Sequence, residues 1–213
     1  MKTKQRILFL ILVPLLTAIG LWFYQYQMNY NVDHISNTEG AYFVQQERYE
    51  VGDVVDSLNG VYVYYNGSVN HTKGESKASD GYVFGMKYQA SEFIKRYYYN
   101  FFNHKISVDV KEAEDYFIPD LKDGEFNTEV NLIQYKNPSL HAPKENDILI
   151  YYANSTHQKG YLAIVSKVEE ERIEVIHQNP GWVHPSRERY ALKKQNDEWK
   201  IDNGQVIGWL RKK

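Results

Sequence analysis

The chain begins with Lys2, Lys4 and Arg6, followed by an apolar run from Ile7 to Tyr24 that Pro14, Thr17 and Gly20 interrupt only mildly. At about 1.5 Å rise per residue such a helix covers about 27 Å, close to the roughly 30 Å hydrocarbon core of a bilayer. Trp22, Phe23, Tyr24 and Tyr26 make an aromatic belt at its far end. The basic residues ahead of the run orient the N-terminus to the cytoplasm and export the chain beyond the run. A cleaved secretory signal has the same layout, but its apolar region is shorter and ends at a small-x-small site, where this chain has "WFYQYQMNY". The pattern predicts a signal anchor or transmembrane helix over 1–24, a polar, aperiodic tether over 25–53, and a globular domain over 54–213.

Within that domain the period changes. "NGVYVYYNGS" (59–68) alternates as a strand does and ends on an Asn-Gly turn signal, and "VNHTKGESKASDG" reads as loop. From Tyr88 the apolar positions recur at threes and fours (Phe93, Ile94, Tyr97, Tyr98, Phe101, Phe102), which predicts a helix. "VKEAEDYF" (110–117) predicts a second, short one. After "NPSLHAPKEND" come short runs at 147–153, 160–168, 172–179, 189–194, 198–201 and 206–211, separated by turn-length gaps. Neighbours so close in sequence pair antiparallel. The expectation is an α+β domain, N-terminal helices packed on an antiparallel sheet of about six strands, preceded by one transmembrane helix.

Composition narrows the function classes. Net charge is -2, without the basic surplus of a nucleic-acid binder. With no cysteine, the chain has no disulfide, thiolate metal site or thiol nucleophile, and it suits an oxidising compartment. His177, His184 and Glu174 lack metal-ligand spacing, so no metal or cofactor is expected. Nineteen tyrosines supply amphipathic rings for the core and for any groove.

Three segments, in order, resemble the CHAP-domain family of papain-like amidases and peptidases, nearest the glutathionylspermidine-amidase-like branch. "DGYVFGMKYQASEFIKRYY" is similar to the family's nucleophile segment, G-x-x-Y/W-Q-C-V-E-F-x-R-R-Y. "NDILIYYANSTHQKGYLAIVSKV" is similar to G-D-L-I-V-F…G-H-V-A-I-V, and "RIEVIHQNPG" to I-x-V-x-E-Q-N. The resemblance covers roughly 55–211. It implies a CHAP-like fold and amide hydrolysis, often of peptidoglycan, by a cysteine at a helix N-terminus, a histidine on a strand and an acidic or amide residue on the next. Here the three catalytic positions fall on Ala90, Tyr161 and His177, while Gln89, Glu92, Arg96 and Asn179 keep the surrounding pattern. A methyl group cannot attack a carbonyl, and a phenol is a poor base at neutral pH.

The expected function is therefore a membrane-anchored, exported, CHAP-like pseudoenzyme that binds a cell-wall or protein ligand without cleaving it. Gln89, Asn179 and Trp182 are the binding-groove candidates. The peptidoglycan wall or an envelope protein is the expected partner, and the bacterial inner or plasma membrane the expected location. Two alternatives stand beside it. One is an active amidase, through non-standard residues such as Ser91 with His157, His177 or His184, or through a cysteine changed to Ala90 by engineering. The other is an immunity or inhibitor protein of the envelope. The anchor has a direct test. On cell fractionation the full chain should stay with membranes through a high-salt wash and leave them only with detergent; release by salt alone contradicts it.

Overall fold

The structure, a computed structural model, describes residues 49–107, 109–181 and 185–213. The expected anchor (1–24) and nearly all of the expected tether lie outside these residues, as do Trp182 and His184. Among the described residues, no helix is long and apolar enough to cross a membrane.

The first elements are two hairpins. β1 (Val54–Leu58) pairs with β2 (Val61–Tyr64) through Asn59 and Gly60, at φ 49° and 79°. Two left-handed residues make the turn whose twist matches that of the flanking strands, and Asn-Gly adopts it at least cost. The hairpin thus turns at the first Asn-Gly pair, ahead of the alternating run, and not at the second. Residues 49–53 run alongside: Gly52 N donates to Tyr65 O at 2.9 Å and Tyr65 N to Asp53 O at 2.8 Å. β3 (Glu75–Lys77) and β4 (Val83–Met86) form a second hairpin in and beside the segment expected to be loop.

Next comes α1 (Ala90–Phe102). Phe93, Ile94, Tyr97 and Tyr98 are all fully buried, the stripe that the three-and-four spacing requires. Asn103, at φ 51°, ends the helix. Its N–H bonds Tyr99 O while that of His104 bonds Tyr98 O, both at 3.0 Å.

The remaining strands form one antiparallel sheet. They are β5 (Glu125–Asn127), β6 (Leu132–Lys136), β7 (Ile148–Tyr151), β8 (Tyr161–Val168), β9 (Arg172–Ile176), β10 (Arg187–Gln195), β11 (Glu198–Ile201) and β12 (Val206–Arg211). Their spatial order is β11-β10-β9-β8-β7-β12-β6-β5. The central strands are buried on both faces. Ile148, Ile150, Leu162 and Ile164 pack with the apolar face of α1, whereas Leu149, Tyr151, Ala163 and Val165 pack with Val175, Leu192, Ile201 and Trp209. The second core is enclosed because the sheet bends round on itself. Ser139, just after β6, exchanges backbone hydrogen bonds with Trp199 of β11 at 3.0 and 2.7 Å, and Asn137 bonds the backbone of Ile201.

This overturns the expected α+β class of several helices on about six strands. The described residues are 38% strand and 11% helical, with one α-helix and eight strands in the sheet. Six of those strands sit where the apolar runs lie; β5 and β6 are additional. The second expected helix is a single 3-10 turn, Ala113–Tyr116. Two causes act there. Pro119 disfavours helix at the residue before it, and an isolated run this short cannot sustain an α-helix. The turn is instead docked on β5 and β6 by buried amides: Asn127 Nδ2 donates to Tyr116 O at 3.0 Å, and Gln134 brackets Ile118 N and O at 2.9 and 2.8 Å.

β12 also needs a residue without a side chain. A Cβ on Gly208 would lie 2.1 Å from Tyr135 O of β6 and 3.0 Å from the Phe117 ring. Gly208→Ala is expected to force β6 and β12 apart and cost about 3 kcal/mol; a urea midpoint unchanged from wild type would contradict this packing.

Candidate functional site

A cleft of about 960 Å³ opens at the N-terminus of α1. Its walls come from the β3–β4 hairpin, the segment 109–113, the loop 155–160 and the start of β8. Of the positions singled out in the sequence, Gln89, Ala90, Ser91, His157, Tyr161 and Asn179 all line it. His177 lies behind the wall, 3% exposed, with its ring edge-on to Tyr161 at 5.5 Å and Nε2 donating to Pro185 O at 3.1 Å.

Ala90 is the first residue of α1, and the preceding Gln89 has extended backbone and gives no side-chain cap. The unsatisfied N–H groups and positive end of the helix therefore face the cleft at the point where a thiolate would be stabilised. A methyl group is what stands there. Tyr161 comes directly after Gly160, whose φ of 76° and close approach to Tyr151 O, 2.6 Å from where a Cβ would stand, exclude a side chain. Tyr161 is 8% exposed, and its hydroxyl donates to Gln178 O at 2.9 Å. Burial, with Glu188 and Tyr190 adding to it, pushes this phenol well above the ordinary tyrosine range. It is a neutral donor committed to the wall and does not serve as a base. His157 stacks on its face at 4.2 Å and donates from Nε2 to Pro180 O at 3.1 Å.

The residues that keep the family pattern bond to one another. Gln89 Nε2 donates to Val69 O and His71 O at 3.2 and 2.8 Å, while its Oε1 accepts from Asn179 Nδ2 at 3.0 Å. Asn179, in the left-handed region at φ 61°, also donates to Val69 O. Glu92, 2% exposed, pairs with Arg96 at 2.7 Å. Gln178 joins the two sets. Its Nε2 donates to Glu92 Oε2 at 3.0 Å and Gln89 O at 3.3 Å, and its Oε1 accepts from Tyr64 N at 3.0 Å and Arg96 at 3.3 Å. Gln89 and Asn179 thus stand on the cleft wall with their amides engaged in building it.

Ser91, the nucleophile candidate of the alternative amidase, also lines the cleft. Its hydroxyl meets Tyr116 OH at 3.0 Å and, among the described residues, bonds no imidazole. Burial raises the Tyr116 phenol above the ordinary range, so it is no base for Ser91. A metal-binding group of His, Cys, Asp and Glu is absent among the described residues. Comparison of the chain with protein-family models gives no match, and neither does comparison with curated proteins.

One residue of this site went unrecognised in the sequence. Lys95 reads there as a solvated helix lysine, yet it is 3% exposed and lines the cleft. Burial depresses its ammonium from 10.5 to about 8; Asp109 and Asp115 oppose that shift and Lys111 adds to it. Between about pH 8 and 10.5 the unfolded chain binds the proton and the native one does not, so stability rises with pH across that window. Lys95→Met removes the cost of burying the charge. The variant should be more stable than wild type at pH 7 in urea unfolding, with the gap closing as pH approaches 10.5; a gap independent of pH contradicts a buried ammonium.

Proposed function

We propose that this protein is an exported, membrane-anchored binding module, similar in sequence to CHAP amidases, whose cleft takes a cell-wall peptide without hydrolysing it. The observation that carries this reading is the state of the cleft at the two positions where the family chemistry begins. Ala90 offers no nucleophile at the helix end, and the Tyr161 hydroxyl is spent on Gln178 O at 2.9 Å. Loss of an activated nucleophile removes the covalent route altogether. What a site without its triad retains is binding and oxyanion stabilisation, roughly 10³-fold over water in the best-studied case. The amide network builds the cleft wall without using position 90, which fits a binding role.

A pull-down with the full chain against purified peptidoglycan sacculi and against envelope extract tests the ligand. Sacculus capture is expected; one envelope protein captured in its place favours an inhibitor or immunity role. Catalysis is tested separately. Ala90→Cys alone should leave amide turnover at the wild-type background, because no imidazole stands at Tyr161. Full turnover in Ala90→Cys, or background turnover abolished in Ser91→Ala, overturns the non-catalytic reading.

A further inference from the structure

Lys95 has a property that the binding reading does not by itself use. It is 3% exposed on the cleft wall, one helical turn beyond Ser91, its ammonium opens only onto the cleft, and among the described residues no hydrogen bond or ion pair holds it. Lysines this buried are nearly always paired, since an isolated ammonium out of water is costly. A lysine side chain on a helix points back toward the N-terminus, which directs Lys95 toward the first turn of α1. That turn carries the uncapped N–H groups at Ala90, Ser91 and Glu92, all of which line the same cleft. A buried, unpartnered cation and a free helix end thus converge on one space, and both favour an anion.

The surrounding charges indicate what kind of anion. Glu92 is spent on Arg96, Glu112 on Lys159 and Glu75 on Lys77. Lys95 and Lys111 are then balanced by Asp109 and Asp115, so the fixed charges leave nothing to attract a second negative charge and suit a singly charged anion held by Lys95 and the helix end. Asp115, near Lys95, bonds the backbone N–H groups of Lys111 and Glu112. We infer that the cleft holds the carboxylate of its ligand between the Lys95 ammonium and the first-turn amides of α1. The inference rests on the cleft being a ligand-binding site, and it names the chemical group recognised there. In a peptide ligand that group is a free C-terminal or side-chain carboxylate. The anion sits where the thiolate of an amidase would stand, a space that the Ala90 methyl leaves open.

Pulsed amine acylation of the full chain in detergent, read residue by residue by mass spectrometry, tests this. N-acetylglycine should protect Lys95 several-fold relative to Lys111 and Lys159 and raise the pH midpoint of its labelling above about 8. N-acetylglycinamide, the same size without the charge, and inorganic phosphate should do neither. Calorimetric binding of N-acetylglycine should be lost in Lys95→Met and kept in part in Lys95→Arg. The inference is overturned if Lys95 is unprotected, if the amide or phosphate protects it equally, or if Lys95→Met binds as wild type does. Sacculus capture undiminished in Lys95→Met removes the carboxylate and leaves the binding reading. Protection of Lys95 without sacculus capture removes the wall ligand and leaves the carboxylate site.

Discussion

The hydrogen bonds of one fully buried side chain, Gln178, hold the cleft together. They reach Glu92 and the Gln89 carbonyl at the start of α1, the Tyr64 amide at the end of β2, and Arg96 one turn along the helix. Its own carbonyl takes the Tyr161 hydroxyl. Each partner is a strong hydrogen-bonding group that would be costly to leave unmet out of water, and Glu92 is charged as well. The helix end, the first hairpin and the start of β8 are therefore fixed relative to one another by polar bonds, while the apolar stripe of α1 fixes the helix on the sheet. The Gln178 bonds add directional contacts at the N-terminal end of the packed helix.

That division of labour means that the cleft wall does not depend on the residue at position 90. Gln89, Glu92 and Asn179 line the cleft together with Ala90. Here they bond to each other, to Gln178 and to Arg96, and they shape the wall whatever residue occupies position 90. The Ala90 methyl makes none of these bonds. Tyr161 contributes a ring that packs between His157 and His177 and a hydroxyl that satisfies a buried carbonyl. Ala90 carries none of the network, and Tyr161 joins it through its hydroxyl alone.

The same geometry gives Lys95 its character. An exposed lysine on a helix is ordinary; at Lys95 burial depresses the ammonium, and Asp109 and Asp115 only partly oppose it. A protein that keeps a buried cation unpaired loses stability by it, a cost that a bound anion offsets.

Much of the skeleton was legible in the chain. Period-two and period-three-to-four patterns report directly which face of an element is buried, and they located α1 and six strands of the sheet. The three family-like segments marked Gln89, Ala90, Tyr161 and Asn179, which the fold does bring to one cleft. The rest depended on contacts distant in sequence. β5 and β6 are short, and much of their pattern is polar because Asn127 and Gln134 are buried to bond Tyr116 and Ile118, which no periodicity can signal. The 110–117 segment reads as helix until those amides and Pro119 make it a single turn. Gln178 looks like any strand-end glutamine, and Lys95 like any solvated lysine. Sequence alone determined the alternation of apolar faces and the absence of any thiol nucleophile, because both can be read residue by residue. Only the tertiary structure decided which polar side chains are buried and which of those are left unpaired, because burial is a property of what packs above a residue and not of the residue itself.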